Sequence, residues 1–162
     1  MQVPFLDLKI QYQSIKDEVN PAIQNVIENT AFILGAAVTN FENDFAAAHS
    51  VKHVLGVSSG TDGNHMVLWA LGVGHGDEVI IPANTFIATA WGATLCGATP
   101  VFVDCHPQSY NIDPSKVEAA ITKKTKAIVA VHLYGQPADM KALKKIADKH
   151  KLFLVEDAAQ SH

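Results

Sequence analysis

The stretch Leu152-Phe153-Leu154-Val155-Glu156-Asp157-Ala158-Ala159-Gln160-Ser161-His162 sets four apolar residues directly before two acids. Four apolar residues without polar alternation suit a strand buried on both faces of a parallel sheet. The acids then fall where the strand leaves the sheet. Ligands of open α/β sheets bind beyond the carboxyl ends of the strands. Asp157 is thus a carboxylate where such folds do chemistry, with Gln160 and His162 close behind it. A strand-end Asp that caps the next helix accounts for the same residues, so the segment alone leaves both readings open.

Working back from this strand, the chain alternates from about residue 53 onward. Strand-like runs occur at His53–Val57, Glu78–Ile81, Thr99–Val103, Ala127–Val131 and Leu152–Val155, with helical patterns near 62–71, 85–96, 114–121 and 140–149. The last helix is the clearest. Asp139 stands as its N-cap, Met140, Leu143, Ile146 and Ala147 face inward, and Lys141, Lys144, Lys145 and Lys149 face outward. Strands alternating with helices require right-handed crossovers, hence an α/β fold with a mostly parallel sheet and helices on both faces. The fifth strand should feed another crossover helix, so the sequence reads as the N-terminal part of a longer protein, with the sheet incomplete.

Residues 1–50 read as a separate arm with helices, and 51–162 as the ligand-binding body. Val3-Pro4-Phe5-Leu6-Asp7-Leu8 is an apolar arm too short to fold alone, suited to packing on the body or on a second subunit. Asn20-Pro21 reads as an N-cap with proline at the first helical position. Phe32-Ile33-Leu34-Gly35 reads as a turn, and a second helix passes through Val38, Phe41, Glu42 and Phe45 to end near His49-Ser50.

Composition excludes several functions. The net charge of −4 and the absence of basic blocks interleaved with aromatics argue against nucleic acid. All 12 basic residues are lysines, so the segment supplies no guanidinium fork for carboxylate or phosphate. Cys96 and Cys105 lack metal spacing and read as reduced thiols of a cytosolic protein, and the eight histidines form no metal motif. No signal peptide or apolar run of membrane-spanning length appears, which implies a soluble, cytoplasmic chain without membrane contact.

Three features then converge on one sheet edge. Val57-Ser58-Ser59-Gly60-Thr61-Asp62-Gly63 joins the first strand-like run to a helix, where small residues and free N–H groups suit an anion. A plain N-capping turn fits the same residues, and the segment is neither G-x-G-x-x-G nor a Walker loop. Pro82 ends the next strand and places Phe86 in the first turn of a helix starting near Thr85, as a ring cover or a core residue. His132 and Tyr134 reach the same edge, where a satisfied structural histidine is the simpler reading. An anion cup, an aromatic and Asp157 together suit a phosphorylated, planar, cationic heterocycle, and pyridoxal phosphate fits. A carboxylate at the ring nitrogen favours the pyridinium, which accepts electron density from a substrate carbon losing a proton.

The chain also resembles the DegT/StrS family of pyridoxal-phosphate-dependent sugar aminotransferases. The resemblance rests on Val3–Leu8, Phe32–Gly35, Ser59-Gly60-Thr61-Asp62, Gly76-Asp77-Glu78-Val79-Ile80, Pro82-Ala83-Asn84-Thr85-Phe86, His132-Leu133-Tyr134-Gly135 and Glu156–His162 in this order. It implies an aspartate-aminotransferase-like large domain. It further implies that Gly60, Thr61 and the Asp62 backbone hold the phosphate, Phe86 stacks on the ring, Asp157 binds the ring nitrogen and Gln160 bonds the ring hydroxyl. His162 would lie near the cofactor. Gly63 replaces the family's usual alanine. Family members attach the cofactor to a lysine some tens of residues past the Asp-Ala-Ala-Gln-Ser-His segment. No lysine here has that context, so no catalytic residue is expected within the 162 residues and this segment alone should not turn over.

The implied activity is amino transfer, with glutamate as donor, to a keto carbon of a nucleotide-linked deoxysugar, by a homodimer with shared sites. Two other readings accompany it: a dehydratase of the same family with histidine in place of the lysine, and a non-catalytic regulator on the family scaffold. A nicotinamide site is disfavoured because Ser58–Gly63 lacks the glycine fingerprint.

Overall fold

A computed structural model describes residues 3–161; Met1, Gln2 and His162 lie outside the described residues, and with His162 the expectation that it stands near a cofactor. The chain divides into two compact units, Met1–Gly56 and Val57–His162.

The first unit holds α1 (Leu8–Glu28) and α2 (Ala36–Ala48). The expected start at Asn20-Pro21 is wrong: α1 begins at Leu8 and carries Pro21 inside it. Asp7 is the effective cap, its carboxylate accepting from the amides of Lys9 at 3.0 Å and Ile10 at 3.3 Å. The helix runs through Pro21, which removes one backbone donor from its 21 residues. Asn20 instead exchanges a hydrogen bond with the Tyr12 hydroxyl. The turn expected at Phe32–Gly35 is present, with Leu34 at φ 47°, and α2 ends at His49 as its pattern requires.

The run His53–Val57, expected as a strand, joins no ladder. Extended composition alone does not make a strand; backbone bonds to a neighbour do. Here the Gly56 amide donates to the Glu42 carboxylate at 2.8 Å.

The second unit is a parallel sheet of β1 (Glu78–Pro82), β2 (Thr99–Val103), β3 (Thr125–Val131) and β4 (Phe153–Asp157), in the order β2-β1-β3-β4. Helix α3 (Gly60–Ala70) precedes β1, and α4 (Ala88–Leu95), α5 (Pro114–Val117) and α6 (Met140–His150) lie between successive strands in sequence. Alternate residues of each strand face opposite sides. Val79, Ile81, Ala127 and Val129 pack with Leu68 of α3 and Ala90 and Ala93 of α4. Ile80, Ile128 and Ala130 pack with Val117 of α5 and Leu143 and Ala147 of α6. Helices therefore cover both faces, as the alternating pattern requires. Each fully buried Leu or Ile contributes about 2 kcal/mol of burial free energy.

Two boundaries differ from expectation in ways that matter. The β4 strand is the last in the sheet order and is only partly covered, with Phe153 42% exposed, rather than buried on both faces. It pairs with β3 alone, and its ladder continues through Glu156 and Asp157, so both acids end the strand instead of following it. Helix α4 starts at Ala88, after a short irregular segment, so Phe86 lies in a loop rather than in a first turn. The 114–121 helix is α5 followed by one tight 3-10 turn.

Strand order places the topological switch between β1 and β3. The chain passes from β1 outward to β2, then crosses back to β3 on the other side. Loops leaving β1 and β3 diverge there and leave a crevice at the strands' carboxyl ends.

Candidate functional site

That crevice is a hollow of about 240 Å³. The start of α3 gives it Gly60, Thr61 and Asn64; the segment after β1 gives Thr85, Phe86, Ala88 and Thr89. Val131 and Leu133 come from the end of β3, and Asp157, Ala159 and Gln160 from the end of β4. Of the residues expected at a site, Gly60, Thr61, Phe86, Asp157 and Gln160 thus meet around one space. Asp62 is not among its lining residues.

The α3 end is a capped helix start. Ser59 has extended backbone, and its hydroxyl accepts from the Asp62 amide at 3.2 Å. The Asp62 carboxylate turns back to the hydroxyls of Ser58 and Ser59. Those hydroxyls, Ser58 first, hold the Asp62 carboxyl below the ordinary carboxylate range. The Asp62 amide, expected as an anion donor, is therefore already engaged. The amides of Gly60 and Thr61, at the first helical positions, have no acceptor within the helix by geometry, and both residues border the hollow.

The β4 end is held from a distance. Asp157 Oδ2 accepts from Asn64 Nδ2 at 2.9 Å and from Thr89 Oγ1 at 3.2 Å. Oδ1 accepts the Ala159 amide at 3.3 Å. Thr89 Oγ1 also lies 3.0 Å from Thr85 Oγ1. Since Thr89 donates to the acid, Thr85 donates to Thr89.

Gln160 has its orientation fixed by a neighbour. Its Oε1 accepts the Tyr134 amide at 2.6 Å, and a backbone N–H can only meet the oxygen, so the amide nitrogen is the donor end. Tyr134 adopts φ 59° and Gly135 φ 83°, a sharp left-handed turn that brings this amide to Gln160. Buried Asn111 clamps the same turn, accepting from the Leu133 amide at 3.0 Å and donating to the Gln136 carbonyl at 2.8 Å.

His132 is structural. Its Nδ1 accepts the Ala138 amide at 3.2 Å, so Nε2 carries the proton and donates to Glu156 Oε2 at 2.9 Å. It is buried and lies outside the lining of the hollow, where Leu133 takes the place beside Val131. Cys96 is away from the hollow, its thiol pushed up by burial. Among the described residues, no group of three or more His, Cys, Asp or Glu side chains could hold a metal ion. No described helix is long and apolar enough to cross a membrane.

Asn64 and Thr89 were missed from the sequence. A signal existed for Asn64: it lies three residues after Thr61 and four before the fully buried Leu68, a polar residue on the inward face of α3. Thr89 gave none, because a buried threonine in a small-residue helix is ordinary.

Residues 13–162 match the model of the DegT/DnrJ/EryC1/StrS aminotransferase family. Over 161 residues the chain is 52% identical to a pleiotropic regulatory protein of Geobacillus stearothermophilus, covering 99% of this chain and 43% of that protein. It is 47% identical to dTDP-3-amino-3,4,6-trideoxy-alpha-D-glucose transaminase of Streptomyces venezuelae, again over 99% of this chain and 42% of the relative. The solved structure of NtdA from Bacillus subtilis with bound cofactor PMP superposes with a TM-score of 0.92 at 40% identity, covering 99% of this chain and 37% of that one. The chain thus spans about two fifths of the length of these relatives.

Proposed function

Because the chain belongs to the DegT/DnrJ/EryC1/StrS aminotransferase family, we propose that it binds pyridoxal phosphate in the hollow beyond β1, β3 and β4. The full-length protein then transfers an amino group, with glutamate as donor, to a keto carbon of a nucleotide-linked deoxysugar. One observation carries the reading: Asp157, Phe86 and the open amides of Gly60 and Thr61 border the same space.

The donor set fits such a ligand. A flat ring finds an aromatic face in Phe86 and apolar walls in Val131, Leu133 and Ala88. A phosphate finds the α3 N-terminus, where two amides and the helix dipole favour negative charge. A protonated ring nitrogen finds the Asp157 carboxylate, and a ring hydroxyl finds the amide nitrogen of Gln160. Bound there, pyridoxal phosphate supplies an electron sink for a substrate carbon that loses a proton. The chain's own residues anchor, orient and shield. Asp157 keeps a proton on the ring nitrogen, Gly60 and Thr61 hold the phosphate, and Phe86 with the apolar wall excludes water from the ring.

Residues 51–162 are, on this reading, part of the cofactor-binding large domain of a cytoplasmic homodimer, with 1–50 as an arm and helices serving the subunit contact. The exposed apolar side chains of Phe5, Leu6 and Ile10 support that role for the arm. With no arginine in the chain, the groups that grip a donor carboxylate or a diphosphate come from lysines or from outside these residues.

The 52% relative's name as a pleiotropic regulatory protein favours one second reading, a regulator that keeps the ligand site. The test separates them. Full-length protein is incubated with pyridoxal phosphate, L-glutamate and a dTDP- or UDP-linked keto sugar, and the products are followed by mass spectrometry. Amino sugar and 2-oxoglutarate in equal amounts support the aminotransferase. Tight cofactor binding without either product supports the regulator, and no cofactor binding contradicts both.

A further inference from the structure

The two helices that donate to Asp157 interlock at one point, and we infer that this crossing aims the acid. Asn64 lies in α3, Thr89 and Gly92 in α4. At Gly92 the helices approach so closely that an added Cβ would stand 2.9 Å from Asn64 Cβ, 3.1 Å from its carbonyl carbon and 3.2 Å from its carbonyl oxygen. Two of those three atoms are backbone, which cannot swing aside. A side chain at 92 therefore displaces α3 at Asn64 itself, and only glycine permits the contact.

The consequence lies 93 residues along the chain from Asn64. Its amide, buried in the crossing, spans 2.9 Å to Asp157 Oδ2, and Thr89, one turn before Gly92, meets the same oxygen at 3.2 Å. Two donors occupy both lone pairs of Oδ2 and stop the carboxylate from rotating. Oδ1, met by the Ala159 amide at the longer distance of 3.3 Å, is the oxygen with room for a further donor. Asn64 is thus a positioning residue for Asp157, and Gly92 a positioning residue for Asn64. The β4 strand has a ladder on one side only, so its final residue needs this outside hold. The role rests on the proposed binding of a pyridine ring nitrogen at Asp157.

The experiment compares two ligands on the full-length protein by fluorescence titration: pyridoxal phosphate and its 1-deaza analogue, which has a carbon in place of the ring nitrogen. Asn64→Leu keeps the volume and removes the donor. It should lower the preference for pyridoxal phosphate over the analogue by about tenfold, the worth of one hydrogen bond to a charged group. Gly92→Ala should cause the same selective loss without touching the amide, and the double variant should lose no more than either alone. Thermal melts of the ligand-free variants report folding; if Gly92→Ala does not fold, Asn64→Leu decides alone. Equal weakening of both ligands in Asn64→Leu, or additive losses in the double variant, would overturn the inference. Asp157→Asn serves as the separate arm: if it keeps the full preference for pyridoxal phosphate, the ring-nitrogen reading of the hollow fails, and the inference with it.

Discussion

At the α3 end of the hollow every supporting contact is local, whereas at the β4 end none of the important ones is. Ser58 and Ser59 reach Asp62 across four and three residues, and the Ser59 hydroxyl caps an amide in the same turn. Asp157 is held by Asn64 and Thr89 from 93 and 68 residues away. The first end can form with its own helix and sits exposed. The second exists only after the sheet, α3 and α4 have packed together. On the proposed reading the anion cup is local and forgiving, while the carboxylate that meets the ring nitrogen depends on the tertiary fold.

Substitutions should show this asymmetry, most strongly at the acid. Asp157→Ala should weaken pyridoxal phosphate binding by up to about 100-fold, since it removes a charge-assisted bond worth up to about 3 kcal/mol. Equilibrium titration with the cofactor checks this. Thr61→Val, at the local end, should cost about tenfold in the same titration, because one neutral hydroxyl is lost while the backbone amides remain. Inorganic phosphate, titrated alone, should bind Thr61→Val more weakly than the parent and bind Asp157→Ala as tightly as the parent.

Ser59→Ala removes the α3 cap and should destabilise the protein by about 1 kcal/mol. A urea melt measures the loss, and an unchanged midpoint would show that the turn holds without its hydroxyl. The smallest effect concerns acid. Asp62 has a folded value below its unfolded one, with the Ser58 hydroxyl the leading cause. Its contribution is therefore complete above the unfolded value and is lost as pH falls through the folded one. Asp62→Asn should therefore lower stability slightly near neutrality and flatten the fall in stability below about pH 4. A profile that changes only above pH 6 would contradict that sign.

The same division explains what could be read from the sequence. Unbroken apolar runs alternating with amphipathic helices point to a sheet covered on both faces, because such runs and helical stripes write their burial locally. The capped turn before α3 and the acid that ends β4 are equally visible. The start of α1 was misjudged because Asn20-Pro21 imitates a helix start, while the working cap, Asp7, lay inside a segment read as an arm. The His53–Val57 run failed for another reason: strand propensity does not say whether a neighbour accepts the hydrogen bonds. The Asn64–Asp157–Thr89 contact was invisible, since pairings across such separations depend on how two helices cross, and a single glycine at 92 decides it.

The family resemblance supplied roles for individual residues, and geometry refines one of them. The Asp62 amide is occupied by Ser59, so the proposed phosphate site narrows to Gly60 and Thr61. The Tyr134 amide fixes the Gln160 oxygen and leaves its nitrogen as the donor, which supports the proposed bond to a ring hydroxyl.

A crystal structure of the full-length protein with pyridoxal phosphate tests the account most directly. It should place the ring nitrogen within hydrogen-bonding distance of Asp157 Oδ1, with Oδ2 still held by Asn64 and Thr89, and the phosphate on the amides of Gly60 and Thr61. A cofactor bound with its phosphate toward Asp157, or with its ring outside the space between Phe86 and Leu133, would contradict it.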